Sequence, residues 1–68
     1  MITTLVEYRM QIAHLKEQAL SIGVRQRDID ARLRELARPD DLDQIVSCLE
    51  HLITEQGGTP TLAIYFLR

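Results

Sequence analysis

Thr4-Leu5-Val6-Glu7-Tyr8-Arg9-Met10-Gln11-Ile12-Ala13-His14-Leu15-Lys16-Glu17-Gln18-Ala19-Leu20-Ser21-Ile22-Gly23-Val24 is the stretch on which the fold turns. Thr4 is followed three residues later by Glu7, the pattern of a capping box. The threonine hydroxyl can accept from a free amide of the first turn, and the glutamate can reach back to the threonine amide. From there apolar residues recur at Leu5, Tyr8, Ile12, Leu15, Ala19 and Ile22. The steps alternate between three and four, which makes a heptad seam. Val6, Ala13 and Leu20 widen it on one side. No Pro or Gly interrupts before Gly23, which suits a left-handed C-cap with Val24 as the apolar residue that follows. The stretch predicts a first helix over about residues 4–22.

Working outward, a second helix is predicted over residues 25–37, with Ile29, Leu33 and Leu36 on one face. Arg25 stands where Ser, Thr or Asp makes a better N-cap. Pro39 ends this helix and disfavours helical backbone at Arg38. A third helix is predicted over residues 41–55, capped by Asp40 or Asp41, with Leu42, Ile45, Val46, Leu49, Leu52 and Ile53 at helical spacing. Gln56-Gly57-Gly58-Thr59-Pro60 then breaks the chain. Residues 61–67, rich in β-branched and aromatic types and bounded by Gly and Pro, read as a strand. No other segment reads as a strand, and a lone strand leaves backbone groups unpaired. Pairing with the same segment of a second copy across a two-fold axis resolves this. An extended or helical tail packed on the bundle is the alternative. The expectation is one all-α domain over residues 1–68, a three-helix bundle with a long first helix and a C-terminal β-strand, dimeric. The expected dimer contacts are Leu5, Tyr8, Ile12, Leu15, Leu62, Ile64 and Phe66.

Composition narrows the function classes. A chain of 68 residues with 46% apolar content forms one small domain. A domain this small buries only about 60% of the surface its unfolded chain exposes. Disulfides, metals or oligomerisation usually supply the remaining stability. The single cysteine, Cys48, excludes an internal disulfide and fits a reducing compartment. The longest apolar run, residues 62–67, is far short of the roughly 20 residues that span a bilayer. No basic segment followed by an apolar stretch marks a secretory signal. A soluble cytoplasmic protein is expected, without an enclosed small-molecule site and without enzymatic activity. The net charge of −2 conceals a segregation. Residues 25–38 carry Arg25, Arg27, Arg32, Arg34 and Arg38 against Asp28, Asp30 and Glu35. Residues 39–58 carry Asp40, Asp41, Asp43, Glu50 and Glu55 with no Lys or Arg.

The most specific local pattern lies in residues 18–33. Ala19, then Gly23 four later, then Ile29 six after the glycine, with Ile22 and Val24 apolar on either side of it, resembles the helix-turn-helix of DNA-binding regulators. The resemblance implies that residues 25–37 are a recognition helix that enters the major groove. It also implies that Arg25, Gln26, Arg27, Asp30 and Arg34 face DNA, where Arg and Gln read guanine and adenine edges. Gln18, Arg25 and Arg32 depart from the family pattern, and no separate helix precedes the pair.

Other constellations have simpler readings. Arg27, Arg34 and Arg38 fall opposite the apolar face of the second helix and form a stripe suited to phosphates or to solvent. Asp28–Arg32 and Asp30–Arg34 are acid-before-base pairs at i,i+4, worth a few tenths of a kcal/mol each. Cys48 and His51 share a helix face, but zinc needs further ligands, and only His14 remains as a nitrogen donor. Cys48 reads as a half-buried core residue, His14 as partly exposed, and the aspartates at 40, 41 and 43 as helix caps. No catalytic, cofactor-binding or metal set is defended. Two function classes remain. One is a small regulatory protein that binds another protein, as inhibitor, adaptor or anti-activator. The alternative is a helix-turn-helix transcriptional regulator of duplex DNA. The residues expected to meet either partner are Arg25, Gln26, Arg27, Asp30, Arg34 and Arg38.

Overall fold

The computed structural model describes residues 4–63. Three helices follow in order, α1 (Leu5–Ser21), α2 (Gln26–Arg34) and α3 (Leu42–Glu55), and no strand occurs among the described residues. The capping box of α1 forms as its sequence requires. Glu7 N–H donates to Thr4 Oγ1 at 3.1 Å, and Thr4 N–H donates to Glu7 Oε1 at 3.2 Å. At the other end Val24 N–H reaches Ala19 O at 3.0 Å and Gly23 N–H reaches Leu20 O at 3.1 Å. These two bonds make a Schellman motif, and Gly23 supplies its left-handed residue at φ 101°. The end of α3 repeats the device. Gly58 N–H reaches Ile53 O at 2.9 Å, Gly57 N–H reaches Thr54 O at 3.0 Å, and Gly57 has φ 85°.

The two motifs meet in the fold. A Cβ on Gly58 would lie 2.9 Å from Ile53 Cγ2 and 3.1 Å from Ile22 Cδ1, so only glycine lets the chain leave α3 this close to α1. Tyr8, near the start of α1, donates its hydroxyl to Asp43 Oδ1, near the start of α3. With starts and ends both adjacent, α1 and α3 run side by side in the same direction. Val24, Arg25, Asp28 and Arg32 of the turn and α2 line a depression with Leu52, Glu55 and Gln56, and Leu33 and Arg34 lie beside Ile45. α2 therefore returns along α3. The core is Leu15, Ala19, Val24, Ile29, Leu49, Leu52 and Ile53, with Ile12, Leu33, Ile45 and Val46 packed against it.

Three expectations change. First, α2 ends at Arg34 rather than Ala37. Its last turn tightens through Glu35 N–H to Arg32 O at 3.2 Å and Leu36 N–H to Leu33 O at 3.4 Å, and the residues before Pro39 are spent on the reversal into α3. Second, the outer positions of the α1 seam do not all enter the core. Leu5 and Ile22 are exposed.

Third, Thr61–Ala63 form no strand, and residues 64–67 of the expected strand, with Ile64 and Phe66, lie outside the described residues. The physical reason is on α1. Gln18 donates from Nε2 to Thr59 O at 2.6 Å and accepts at Oε1 from Thr61 N–H at 3.2 Å. Gln11, one heptad earlier, donates to Thr61 O at 2.9 Å and accepts from Ala63 N–H at 2.7 Å. Each side-chain amide thus bonds the C=O of one tail residue and the N–H two residues on, as a neighbouring strand would. The tail runs back along α1 with one edge satisfied by glutamines. Gln11 is itself 2% exposed, and both ends of its amide are used. Ala63 is fully buried beneath this clamp.

Candidate functional site

Two surfaces collect the residues that sequence reasoning singled out, and the structure separates them. The first is α2 and its flanks. Arg25 is the N-cap, with β-region backbone and no side-chain capping bond. Arg25, Gln26, Arg27, Arg34 and Arg38 are exposed, and Asp30 is half-buried. None of the four arginines has an acidic partner among the described residues. The expected i,i+4 pairs do not form. Arg32 turns across to α3 instead, and its Nη2 bonds both oxygens of Glu55 at 2.7 and 2.8 Å. Asp30 accepts from Gln26 Nε2 at 3.0 Å. The Arg32–Glu55 pair is largely exposed and is worth at most about 1 kcal/mol, so it orients α2 more than it holds it.

Between the end of α2 and α3 lies an open groove of about 500 Å³. Leu36 and Cys48 lend it apolar surface, and Arg32, Glu35, Asp43 and His51 stand around it. Burial pushes the Cys48 thiol up from its ordinary range; Arg32 opposes this, and Glu35 and Glu55 reinforce it. This shift favours the neutral thiol, the weaker nucleophile of the two forms. His14 bonds Thr61 Oγ1 through Nε2 at 2.8 Å. Of the aspartates read as helix caps, Asp41 caps α3. Asp41 Oδ1 accepts from Asp43 N–H at 3.0 Å and Gln44 N–H at 3.4 Å. Asp43 takes the Tyr8 hydroxyl, and that bond, with burial and the charges of Asp43 and Asp41, raises the Tyr8 phenol above its ordinary value.

The second surface is α1. Of the expected dimer contacts, Leu15 is fully buried in the chain's own core and has no surface left for another molecule. Ile12 is half-buried against that core, and Tyr8 is half-buried and tied to Asp43. Leu5 and Leu62 remain exposed. The middle of that seam, Ile12, Leu15 and Ala19, is thus taken up by the chain's own core, and its ends at Leu5 and Ile22 stay open. Also left open are the residues that seemed only to widen it: Val6 at 61% exposure, Ala13 exposed, and Leu20 at 43%. Their spacing of seven sets them in a line along the helix, turned away from Gln11, Leu15 and Ala19. α1 is apolar on two opposed faces, and a single chain buries one.

Sequence reasoning missed Gln11 entirely and met Gln18 only as a departure from a family pattern. The available signal was a pair of glutamines one heptad apart beside a strand-like tail with no strand to pair with. No protein-family model matches the chain, and no curated protein or solved structure is significantly similar to it.

Proposed function

We propose that this chain is a small non-enzymatic regulatory protein that acts as a homodimer by binding another protein. The observation that carries the reading is the apolar side chains left open along α1 and its flanks by a core that is already closed. Leu5, Val6, Leu20, Ile22 and Leu62 are all exposed, whereas Leu15, Ile29, Leu49 and Ile53 are fully buried. Val6, Ala13 and Leu20 fall in one line along α1, and exposed apolar surface of this kind is suited to a contact with another protein. The α2 face adds four cationic side chains without acidic partners among the described residues, suited to an acidic or mixed-charge protein surface.

The second reading is a helix-turn-helix regulator of duplex DNA, and a specific observation favours it. Ala19, Val24 and Ile29 pack together around the left-handed Gly23, and Arg25, Arg27 and Arg34 point outward beyond them. Two features count against it. Asp28 is exposed in the first turn of α2, where it would face phosphates. Gln26, a base-reading candidate, spends its amide on Asp30.

One experiment separates the readings. A photo-crosslinking amino acid replaces Ala31, which is exposed among the arginines of α2. The protein-binding reading predicts a protein adduct in cells that disappears in the Arg27→Glu/Arg34→Glu variant, with no binding to duplex fragments at low salt. Duplex binding that weakens steeply with salt and vanishes in that variant would replace it with the DNA reading.

A further inference from the structure

The tail is held by α1 side chains that read its backbone. Gln18 binds Thr59 C=O and Thr61 N–H, and Gln11 binds Thr61 C=O and Ala63 N–H. One tail side chain takes part. The Thr61 hydroxyl donates to Gln18 Oε1 at 3.2 Å and so accepts from His14 Nε2 at 2.8 Å. Gln11, His14 and Gln18 are spaced by three and four residues, which sets them in one row along the helix. The outward registers of the tail are not read. Thr59 and Leu62 are exposed, and the N–H that Pro60 lacks would point away from the row. Two requirements face inward: a hydroxyl at the register of Thr61, and a small side chain at that of Ala63, which is fully buried. A segment of different sequence that meets both fits the same row.

The tail is also separable from the core. Among the described residues, the hydrogen bonds of Thr59, Thr61 and Ala63 go to α1 side chains and none to backbone. Those to Gln18 and His14 are exposed, and a segment held by exposed bonds opens at low free energy. Ala63 is buried but lies outside the cluster that contains Leu15, Ala19, Leu49 and Ile53. Tethering gives the tail an effective concentration of about millimolar. An untethered tail of a second copy makes the same contacts and does not displace it, whereas a partner's segment that adds contacts beyond the row does.

We infer that the Gln11–His14–Gln18 row of α1 is a binding site for an extended segment of a partner protein, one with Ser or Thr two residues before a small residue. In the free chain the tail fills this site as a built-in competitor. The inference rests on the protein-binding reading above and gives that partner a site and a chemistry.

The test uses the full chain, with circular dichroism as the check on folding and the side-chain amide resonances of Gln11 and Gln18 as the readout. The probe is a capped peptide with the sequence of residues 57–63. Ala63→Asp and, more mildly, Thr61→Val loosen the chain's own tail. In either variant the peptide is expected to move both resonances at a concentration about tenfold below that needed with the unaltered chain. Adding Gln11→Ala is expected to abolish the response at Gln18. A peptide with Thr59→Lys and Leu62→Lys is expected to bind equally well, and one with Thr61→Val about threefold more weakly or worse. No response in either loosened variant, or a response indifferent to Gln11→Ala, would overturn the site. The Ala31 crosslink tests the protein-binding reading separately, so that reading survives such a failure. A response lost with the two lysines would show that the row recognises this chain's own sequence, and would replace the partner's segment with the tail of a second copy.

Discussion

The two long faces of α1 both carry apolar residues and have opposite fates. The inner face, Gln11, Leu15 and Ala19, is buried within the monomer. The outer face, Val6, Ala13 and Leu20, is exposed along the same helix. Hydrophobicity does not separate them, since Gln11 is polar and buried whereas Val6 is apolar and open. What separates them is whether the rest of the chain can complete a partner. α3 supplies Leu49, Leu52 and Ile53 to the inner face, and the tail supplies backbone groups spaced to fit two glutamine amides. Nothing in the described chain reaches the outer face. The open line on the outer face is the surface that the proposed self-association would cover.

The largest expected effect breaks the inner face. Leu15→Ala removes a fully buried side chain beside Ala19 and Leu49, and should cost about 2–5 kcal/mol in denaturant unfolding. Gln11→Ala should cost about 1–3 kcal/mol, because the buried Ala63 amide loses its acceptor. Hydrogen exchange should show the Ala63 amide losing protection in that variant while the α1–α3 core keeps its own. Gly58→Ala places a methyl against Ile53 and Ile22 and should cost about 1–3 kcal/mol, read as a lower unfolding midpoint with an unchanged denaturant slope. Ala13→Glu sharpens the comparison from the other side. At an exposed helical position it should change monomer stability by no more than about 0.5 kcal/mol, yet abolish self-association in sedimentation. The smallest effect is at Tyr8. Its phenol is raised in the folded state, so the unfolded chain loses this proton first as pH climbs. The stabilisation from the bond to Asp43 is then fully present below about pH 10 and is lost as pH rises through the folded value. Tyr8→Phe should flatten that alkaline decline in stability without altering the fold.

Much of this architecture was legible because local rules and tertiary packing agree. Thr4 and Glu7 announce the start of α1, Gly23 its end, and Asp41 the start of α3, and each is satisfied by backbone bonds within a few residues. The register of Ile29, Leu33, Leu49, Leu52 and Ile53 follows from helical spacing alone. The tail was not legible for a physical reason. Strand propensity reports a preference for extended backbone, and Thr61–Ala63 do take an extended course, but their bonding partners are side chains fifty residues away in sequence. Arg32 misled in the same way. Its spacing to Asp28 suggested a helix pair, and its neighbour in space is Glu55. Of the candidate contacts, the arginines of α2 were readable as exposed because they oppose an apolar face. The division of α1 into a used and an unused face was not, because the sequence records two apolar stripes without saying which one α3 covers.

The central claim is that the inner face of α1 serves its own chain and that the proposed homodimer forms through the outer face. Isotope-filtered nuclear Overhauser spectroscopy on an equal mixture of labelled and unlabelled protein tests it directly. The account predicts intermolecular contacts from the Val6 and Leu20 methyls, and none from Leu15 or Leu49. Intermolecular contacts from Leu15 or Leu49, with Val6 and Leu20 silent, would contradict it and return the dimer to the inner seam.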